Sequence, residues 1–507
     1  MVELQTPVQA AQWLSRHVTG ELRTDSRQVQ PGDGFIAWPG AATDGRAYMA
    51  RAFAQGASAC LMQHEGSEPW QDLEPADRLA ALPQLRQCTG WVADAYYEQP
   101  TQNLRVVAVT GTNGKTSTAC WLAQALAHPA IGQRCGVVGT LGVGLWPDLA
   151  YTGMTTPDPV LLQRSFRQML QAGAQLCAIE ASSIGIAEHR LDGTRIRTAV
   201  FTNFTQDHLD YHGSMSAYWA AKRSLFDWAG LESAVINIDD PQGALLAAEL
   251  ANKGLDLWTC SRRQDARLRA WPLPSREGLS FELREGGALC RIDTALAGDY
   301  NIDNLLGVIG ALRAQGVPLA QIAQACAQLQ SVPGRMQRVV PQQGAAGLPV
   351  AVVDYAHTPD ALTQALLALQ PLARERGGRL WCVFGCGGDR DPIKRPLMAS
   401  AAEALADRLV LTSDNPRHED PQAILSDVQA GFDGHSPVVV TVIADRRQAI
   451  AHALEMAGAA DVVLLAGKGH EATQEIAGVA VPFSDLAVAR EQLNLRAQRA
   501  VSPAEGW

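Results

Sequence analysis

One run of residues in the first half of the chain constrains the fold more than any other. The apolar segment Val106–Val109 leads into a glycine-rich turn, Thr110–Gly114, and the helix-forming residues Ala119–Ala123 follow. A strand, a glycine loop and a helix in this order aim backbone N–H groups and a helix N-terminus at a phosphate. The ammonium group of Lys115 can neutralise terminal phosphates, and the Thr116 hydroxyl can ligate Mg²⁺. The run therefore predicts a nucleotide-phosphate site rather than a glycine-rich turn without a ligand.

Length and charge bound the possible classes of protein. A chain of 507 residues is too long for one hydrophobic core, and roughly 150 residues per domain predict about three domains. Hydrophobic residues make up 47% of the chain and charged residues 19%, which is ordinary for a globular protein. The net charge of −10 argues against a general binder of nucleic-acid backbones. We expect small-molecule partners, no nucleic acid and a monomer.

Nothing in the sequence indicates export or membrane insertion. Met1–Gln30 is broken by charges throughout, so we expect no signal peptide, and no apolar run approaches the roughly 20 residues that span a bilayer. The ten cysteines are scattered without paired metal-ligand spacing, and the nearest pair, Cys382 and Cys386, lacks histidines nearby. We expect reduced cysteines in a cytoplasmic protein that does not contact a membrane.

Apolar runs divide the chain into three α/β domains, which we place at residues 1–100, 101–334 and 335–507. The first has short apolar stretches between polar turns and reads as a small α/β unit. The second alternates β-branched runs with Ala/Leu-rich stretches, which predicts a mostly parallel sheet with helices on both faces. The third repeats this alternation and predicts a Rossmann-like, doubly wound fold. The predicted strands are Gln175–Ile179, Thr198–Phe201, Ala234–Ile238, Val350–Val353, Leu380–Phe384, Leu409–Leu411, Val438–Val442 and Val462–Leu465.

Polar side chains follow several of these strands, where open parallel sheets place their ligand groups. Glu180 comes directly after one predicted strand, and the segment Asp207–Gly213, rich in carboxylates and histidines, follows the next. Beside a phosphate loop and Glu180, His208 is better explained as a metal ligand than as a structural histidine. Lys222 lies in the predicted helix 218–226 and, taken alone, would be a surface lysine. Asn301 opens another helix and could hold the edge of an adenine or cap the helix.

Eight motifs resemble the Mur ligase family in order and spacing, over essentially the whole chain. They are Thr110–Thr116, Thr155–Asp158, Glu180–Ser183, Asp207–Gly213, Ala221–Lys222, Asp354–Pro359, Gly385–Arg390 and Gly467–Glu471. The phosphate loop has Val109 where the common form has its first glycine, a short version associated with ATP-dependent amide ligases. The resemblance is closest to the branch that extends UDP-N-acetylmuramoyl-L-alanyl-D-glutamate in peptidoglycan synthesis. It implies a UDP-binding N-terminal domain, a central ATPase domain and a C-terminal amino-acid domain.

The resemblance also implies site residues. Asp25–Arg27 and Asp44–Arg46 would lie in the uridine diphosphate pocket. The implied ATP-binding residues are Gly111, Thr112, Asn113, Gly114, Lys115, Thr116, Ser117, Asn301, Asn304 and Arg335. The nucleotide-linked substrate would contact Ser26, Thr155, Thr156, Ser182, Arg190 and His357. Two Mg²⁺ ions would be held by Thr116, Glu180, His208 and Lys222, the last as a carbamate. Lys115, Lys222, His208 and Glu180 would form the catalytic group.

Three positions depart from this branch of the family. Ile184 stands where relatives commonly have His, Gln337 replaces a frequent Glu, and Ile393 replaces a Gly. The first affects one contact on the substrate side. None of the three lies in the phosphate loop or among the implied metal ligands.

The run Asp414–Arg417 resembles the signature of enzymes that select meso-diaminopimelate over L-lysine. Diaminopimelate has a second carboxylate at the far end of its side chain, and the guanidinium of Arg417 can hold it bidentately. Lysine would leave that guanidinium unpaired, at a cost on the order of 1–3 kcal/mol or more. The alternative for Arg417 is a surface salt bridge. The implied amino-acid contacts are Arg390, Asp414, Asn415, Pro416, Arg417, Gly467 and Glu471, with the distal ammonium on Glu471 and the Gly467 carbonyl.

The expected reaction forms an amide through an acyl phosphate. The D-glutamate γ-carboxylate attacks the γ-phosphate of ATP, and the amine of diaminopimelate then displaces phosphate. Closure of the third domain would exclude water, and His357 is a candidate to take the amine proton. The alternatives are a sister ligase that adds L-lysine or extends folate with glutamates, a nucleotide-binding regulator that hydrolyses ATP as a switch, and a redox enzyme using the Gly385–Gly388 turn.

Overall fold

The structure is a computed structural model that describes residues 1–40, 43–275, 278–342, 347–434 and 436–501. Within these residues the strands form three large sheets, one after another along the chain, and one small hairpin. The sheets cover residues 2–82, 105–294 and 337–466. The domain boundaries at residues 100 and 334 remain our proposal.

The first sheet is parallel and has helices packed against it. Across the sheet its strands are Val2–Glu3, Leu79–Leu82, Ala59–Gln63, Gly34–Ala37 and Leu22–Arg23. The α-helices of this part are Pro7–His17, Met49–Ala54 and Leu85–Tyr96. The first helix begins where the Thr6 hydroxyl accepts a hydrogen bond from the Gln9 amide, a standard N-cap.

The central sheet has eleven strands, of which the middle seven are parallel. Across the sheet they are Ala288–Thr294, Leu279–Glu285, Leu268–Leu273, Asp256–Ser261, Ser233–Asn237, Ile196–Phe201, Arg105–Thr110, Leu176–Glu180, Cys135–Gly139, Gly142–Leu145 and Asp148–Ala150. The α-helices are Lys115–Ala127, Pro159–Gln171, Ser183–Ala187, Leu209–His212, Met215–Arg223, Pro241–Leu250, Tyr300–Ala314 and Leu319–Ala327. The remaining pairings, at both edges, are antiparallel.

The faces of the central sheet follow from the two-residue period of its strands. Val107 and Val109 pack into one apolar core with helices Lys115–Ala127 and Tyr300–Ala314. Val106 and Ala108 point the other way, into a core that includes apolar side chains of helix Pro159–Gln171. Both faces are therefore covered, which explains why the central strands are continuous apolar runs. The predicted mostly parallel sheet with helices on both faces is confirmed.

The third sheet is doubly wound in the same way. Across the sheet its strands are Gln337–Arg338, Val350–Asp354, Val462–Ala466, Leu380–Phe384, Arg408–Leu411 and Val439–Val442, and the first pairing alone is antiparallel. The α-helices are Pro359–Glu375, Lys394–Glu403, Pro421–Gln429, Arg446–Met456 and Asp485–Val501. A hairpin, Thr473–Ile476 with Val479–Pro482, precedes the last helix. Apolar cores lie on both faces, as the sequence predicts for this fold.

Most predicted strand boundaries differ from the structure by one or two residues, and two element boundaries have a local explanation. The strand predicted at 175–179 is Leu176–Glu180, because Glu180 is buried, paired with Val109 and fully hydrogen-bonded at its carboxylate. The helix predicted to reach residue 226 ends as an α-helix at Arg223 and continues as a 3₁₀ helix, Ser224–Asp227. The Ser224 hydroxyl donates to the Ala221 carbonyl over 2.9 Å, a local bond that competes with the α-helical pattern. No helix of the described residues has both the length and the apolar character needed to cross a membrane.

Candidate active site

Two cavities meet above the carboxyl ends of the central strands. The first, of about 400 Å³, is lined by the phosphate loop and we call it the phosphate-loop cavity. The second, of about 1040 Å³, lies between the central and third sheets and we call it the inter-sheet cavity. Both cavities are lined by Thr140, Thr155, Asp207, His208, Tyr355 and His357. A group transferred from one cavity to the other would pass these side chains.

The phosphate loop depends on two glycines. A Cβ on Gly111 would lie 1.9 Å from the Thr202 hydroxyl oxygen, and one on Gly114 would lie 2.2 Å from Asn304 Oδ1. Both glycines also have positive φ, +146° and +85°. The Lys115 ammonium donates to the carbonyls of Gly111 and Thr112 over 2.9 and 2.8 Å, and burial lowers its pKa. Two carbonyls of the loop thus hold the Lys115 ammonium against the loop itself.

Helix Tyr300–Ala314 supports the loop from behind. Asn304 donates from Nδ2 to Asn301 Oδ1 over 2.9 Å, while Asn301 donates from its own Nδ2 to the Ala297 carbonyl over 2.7 Å. Asn301 is therefore not the helix cap considered from the sequence, because Asp299 occupies the cap position. Both asparagines are buried and line the phosphate-loop cavity.

A buried carboxylate lies behind the phosphate loop. Glu180 accepts hydrogen bonds from the Thr116 hydroxyl over 2.9 Å and from the Thr140 amide over 2.8 Å. Arg335, which precedes the third sheet, donates from Nη2 to the same Thr116 hydroxyl oxygen over 3.0 Å and lies 4.3 Å above the Tyr355 ring. The residues connecting the central and third sheets therefore reach the nucleotide side of the cleft.

Lys222 is buried, in contrast to the surface lysine expected from the residue alone. Its side chain is 1% exposed, and its ammonium donates to the Gly111 carbonyl over 2.8 Å. The ammonium also lies 4.5 Å from the centre of the Tyr218 ring. Burial, and then the positive charge of Lys115, lower the pKa of Lys222 well below its usual value. Compared with an exposed lysine, the buried Lys222 is therefore shifted toward its uncharged form.

Asp207 lies between two histidines that belong to different parts of the chain. Its Oδ2 is 3.4 Å from His208 Nε2 and 3.8 Å from His357 Nε2. Burial opposes ionisation of Asp207, but Lys394 and the two histidines, which are protonated in the acid range where this carboxyl titrates, lower its pKa to about 2. Burial lowers the pKa of each histidine to about 4, so both rings are neutral near neutral pH. The His357 Nδ1 lies 2.8 Å from the Tyr355 carbonyl, which fixes the proton on that nitrogen.

The residues expected to contact the nucleotide-linked substrate lie in different places. Thr155 lines both cavities, and Ser182 lines the phosphate-loop cavity. The Thr156 hydroxyl donates to the Glu180 carbonyl over 2.7 Å, and the Arg190 guanidinium donates to the Thr156 carbonyl over 3.0 Å. Thr156 and Arg190 line neither cavity.

Ser26 belongs to the N-terminal part of the chain, which contains the first sheet, and it lines neither cavity. It is 6% exposed and begins the short 3₁₀ helix Ser26–Gln28. Asp25 caps this turn and Arg46 pairs with Asp44 over 2.7 Å, so the two Asp–x–Arg motifs fold as similar local turns. Their role in a uridine diphosphate pocket remains a prediction.

The residues expected to select the amino acid gather at the inter-sheet cavity. Its lining includes Arg390, Asp414, Asn415, Arg417, Gly467 and Glu471, whereas Pro416 lies outside it. Arg417 has a positive φ of +53° and donates from Nη1 to the Gly388 carbonyl over 2.7 Å. A Cβ on Gly387 would lie 2.9 Å from that same Nη1, so the glycine makes room for the guanidinium. Arg417 lines the cavity, and its Nε also lies 3.5 Å from Glu475 Oε2, so the guanidinium makes a salt bridge there. Its role in selecting the amino acid remains a prediction.

The three departures from the family pattern lie in different surroundings. Gln337 accepts a hydrogen bond from the Gly334 amide over 2.8 Å through Oε1, as a Glu oxygen also would. Ile393 is 60% exposed at the start of helix Lys394–Glu403. Ile184 is partly exposed in the short helix Ser183–Ala187, and nothing in the structure explains its choice.

The side chains fit a magnesium site only in part as they stand. No group of three or more His, Cys, Asp or Glu side chains in the described ranges is arranged to hold a metal ion. The implied set contains two such side chains, Glu180 and His208, and relies on the Thr116 hydroxyl and a modified Lys222 for the rest. Glu180 and Thr116 are already within 2.9 Å of each other, which suits two ligands of one hard cation.

Sequence reasoning did not assign a role to several residues of the cleft. They include Thr140, Asp207, Lys394, Lys468 and Glu475. Asp207 and Lys468 belong to the motifs Asp207–Gly213 and Gly467–Glu471, and that position was the signal that could have identified them. Thr140, by contrast, follows a strand and is brought to Glu180 only by the sheet order, which the sequence alone does not contain.

The fold and the cleft together define a class of protein, a phosphate-loop enzyme whose nucleotide site opens onto a second, larger cavity. Three family models match the chain: "Mur ligase family, catalytic domain" at residues 20–97, "Mur ligase middle domain" at 109–312, and "Mur ligase, glutamate ligase domain" at 334–469. The chain belongs to the Mur ligase family.

Individual relatives agree with this assignment. The chain is 58% identical to the UDP-N-acetylmuramoyl-L-alanyl-D-glutamate–2,6-diaminopimelate ligase of Acidovorax sp. (strain JS42), over 97% of this chain and 98% of the relative. A solved structure of a ligase with the same name is 37% identical, with a TM-score of 0.62, covering 94% of this chain and 95% of that chain. MurF ligase from Thermotoga maritima in complex with ADP shares the fold, with a TM-score of 0.68 at 16% identity, covering 95% of this chain and 99% of that chain.

Proposed function

We propose that the protein is an ATP-dependent ligase that adds meso-2,6-diaminopimelate to the D-glutamate γ-carboxylate of UDP-N-acetylmuramoyl-L-alanyl-D-glutamate. The observation that carries the proposal is the continuity of the cleft. A phosphate loop and the Asp414–Arg417 turn line two cavities that share Asp207, His208 and His357. The name of the Acidovorax relative, 58% identical over nearly the whole chain, supports the choice of substrates.

ATP is the proposed phosphoryl donor. The short phosphate loop, Gly111–Ser117, presents backbone N–H groups at the start of helix Lys115–Ala127, where a polyphosphate is stabilised. Lys115 would turn from the loop carbonyls to the terminal phosphates, and Arg335 would add a second positive charge. Asn301 and Asn304 line the same cavity and are the proposed contacts to the nucleoside. The ADP in the Thermotoga MurF structure lends support to the nucleotide assignment.

Magnesium would be held by Thr116, Glu180, His208 and the carbamate of Lys222. When bound, it would supply positive charge against the phosphate oxygens and the developing charge of phosphoryl transfer. Neutral His208 suits this role because a protonated imidazole cannot ligate. Lys222 suits carbamylation because only an uncharged amine adds to carbon dioxide, and the low pKa of Lys222 supplies that form.

The residues of this chain then position the two chemical steps. Lys115 stabilises the charge that builds up as the D-glutamate carboxylate takes the γ-phosphoryl group. Ser26, Thr155 and Ser182 are the proposed contacts of the nucleotide-linked substrate. Thr156 and Arg190, which line neither cavity, would act indirectly, because Thr156 contacts the Ser182 hydroxyl and Arg190 holds the Thr156 carbonyl. The amine of diaminopimelate must be neutral to attack the acyl phosphate. His357 is the proposed acceptor of its proton, because its Nε2 faces Asp207 while Nδ1 is fixed by the Tyr355 carbonyl.

The amino acid would lie in the inter-sheet cavity. Arg417 would hold the distal carboxylate, Arg390 the other carboxylate, and Glu471 with the Gly467 carbonyl the distal ammonium. Asp414, Asn415 and Pro416 would shape the turn that presents Arg417. All these groups come from one chain, so we propose that a monomer is sufficient and that it works in the cytoplasm, where ATP and UDP-linked precursors are available.

A panel of substrates tests the proposal. Phosphate release is measured with ATP and magnesium, with the UDP-linked dipeptide, and with diaminopimelate, L-lysine or a folate and glutamate pair. We expect turnover only when the UDP-linked dipeptide and diaminopimelate are both present. Turnover with lysine preferred, with folate, or with ATP alone would overturn the proposed substrates and favour the sister ligases or a regulatory ATPase.

A further inference from the structure

A fully buried lysine lies directly beneath the amino-acid side of the inter-sheet cavity. Lys468 is 0% exposed, although an isolated buried ammonium is costly and is normally paired. The two glycines beside it have positive φ, +112° at Gly467 and +55° at Gly469. A Cβ on Gly467 would lie 2.4 Å from Asp414 Oδ2, so only a glycine fits there without displacing the Asp414 side chain. The backbone is thus shaped to turn this lysine inward.

The ammonium of Lys468 contacts two residues of the pocket. It donates to Asn415 Oδ1 over 2.8 Å and to Glu471 Oε2 over 2.7 Å. The backbone amide of Glu475 donates to the same Asn415 Oδ1 over 3.1 Å. An ammonium and a backbone N–H can only donate, so the Asn415 atom that faces them must be the oxygen. These two donors therefore determine the orientation of the Asn415 amide.

This orientation determines where the pocket offers hydrogen-bond donors and where it offers acceptors. Nδ2 of Asn415 carries two hydrogens, and one of them is donated to Glu471 Oε2 over 2.8 Å. The second is available toward the inter-sheet cavity, beside the Arg417 guanidinium. Glu471 has both recorded bonds on Oε2, and its Oε1 has no partner among the described residues. The pocket therefore presents a donor, Asn415 Nδ2, and an acceptor, Glu471 Oε1, on two side chains that are hydrogen-bonded to each other.

From this arrangement we propose that Lys468 is a positioning residue that sets which end of a zwitterionic amino-acid head binds where. It holds Asn415 with its N–H groups toward the ligand carboxylate and holds Glu471 with one oxygen toward the ligand ammonium. The inference deepens the proposed function and rests on it, since it concerns the distal carboxylate and ammonium of diaminopimelate. Lys468 itself touches neither group, because its side chain is closed off from the cavity.

The first experiment compares Lys468→Met with the unmodified enzyme. Methionine keeps the length of the side chain and removes its charge and its donors. We expect the KM for diaminopimelate to rise about tenfold or more, with kcat changed less than about threefold and the KM values for ATP and the UDP-linked dipeptide unchanged. Lys253→Met, at an exposed lysine of the central part, is the matched control and should leave all four constants unchanged.

A double-mutant cycle separates positioning from a general loss of structure. If Lys468 acts through Asn415, then adding Lys468→Met to Asn415→Ala should raise the KM for diaminopimelate much less than it does in the unmodified enzyme. Equal increases in both backgrounds would overturn the inference. A folded Lys468→Met variant with an unchanged KM for diaminopimelate would also overturn it. The same holds for a variant in which kcat and all three KM values change by similar factors.

A second measurement uses the unmodified enzyme and does not depend on any variant folding. In a crystal structure of the enzyme with diaminopimelate, we expect a carboxylate oxygen of the distal head within hydrogen-bond distance of Asn415 Nδ2, and the distal ammonium on Glu471 Oε1. An ammonium against Asn415, or a rotated Asn415 amide, would overturn the inference. Diaminopimelate-dependent phosphate release is measured first. If it is absent, the proposed function fails, and if it is present, a negative result counts against the role of Lys468 alone.

Discussion

The two cavities of the cleft are built in opposite ways. One wall of the phosphate-loop cavity is the continuous segment Thr112–Ser117, whose backbone amides and single lysine are the proposed phosphate contacts. The inter-sheet cavity is assembled from separate turns, around Gly387, Asp414–Arg417 and Gly467–Glu471, joined by side-chain hydrogen bonds. Backbone-built sites suit a ligand group shared by many proteins, such as phosphate. Side-chain sites suit the discrimination of one amino acid from another.

This difference predicts different kinetic signatures. A change in the phosphate-loop cavity should lower turnover with every amino-acid substrate, because it removes stabilisation of the phosphoryl transfer. A change in the inter-sheet cavity should act on the KM for the amino acid and leave the ATP step intact. Variants at Lys115, Lys222 and Arg417 test this difference between the two cavities.

The largest effect is expected for Lys115→Ala. Because this ammonium is held over the loop at 2.8–2.9 Å from two carbonyls, its removal leaves no cation in the same place. We expect kcat to fall by about 100- to 1,000-fold, as for loss of one preorganised transition-state donor. Steady-state phosphate release checks this, with Lys253→Ala as a control at an exposed lysine. A loss confined to the KM for diaminopimelate would contradict the contrast.

Lys222→Ala should come next. If a carbamate on this buried amine completes the magnesium site, we expect kcat to fall by about 100-fold, and small carboxylic acids to restore part of it by occupying the same place. Turnover is measured with and without added formate or acetate, and the mass of the intact unmodified protein is checked for the carbamate. Unchanged turnover in Lys222→Ala would remove this residue from the site.

Arg417→Ala tests the other cavity. Loss of the guanidinium leaves the distal carboxylate of diaminopimelate unpaired, so we expect its KM to rise by about tenfold to a hundredfold. The KM for ATP should not change. Arg447→Ala is the matched control, because Arg447 makes an exposed ion pair with Glu491 over 2.8 Å. An equal rise in the KM for ATP would show that the two cavities are not separable.

A smaller effect is expected from pH, through His470 at the edge of the inter-sheet cavity. Burial, followed by the charge of Arg335, lowers the pKa of His470 to about 4, below the value of about 6.5 for an unfolded histidine. Between these values the unfolded chain binds more protons, so this residue makes stability fall as pH falls through that window. We expect the melting temperature of His470→Asn to decline less between about pH 7 and pH 5 than that of the unmodified protein. Parallel declines would contradict the assignment.

The sequence predicted those parts of the molecule whose characteristic residues are contiguous along the chain. The phosphate loop is recognisable because strand, glycines, Lys115 and Thr116 are contiguous, and the central strands because burial on both faces makes them continuous apolar runs. The burial of Lys222 could not be predicted from its neighbours in sequence, since it depends on contact with Gly111, 111 residues away. The same holds for Asp207, which acquires its second histidine, His357, from a different sheet.

Two further differences between the predicted and observed strands have physical causes. Glu180 was expected just outside its strand, because a carboxylate rarely ends a buried strand without partners, and its partners Thr116 and Thr140 come from distant segments. The last two strands at one side of the central sheet, Leu279–Glu285 and Ala288–Thr294, were not among the predicted strands. They alternate polar and apolar residues, a weaker signal than the continuous runs of the sheet centre.

The central claim is that this cleft activates a carboxyl group by phosphorylating it. It is tested most directly with UDP-N-acetylmuramoyl-L-alanyl-D-glutamate labelled with ¹⁸O in the γ-carboxylate, ATP, magnesium and diaminopimelate, followed by mass spectrometry of the released phosphate. An acyl phosphate intermediate predicts one ¹⁸O atom transferred to each phosphate. Phosphate released without label, while the amide product forms, would contradict the account.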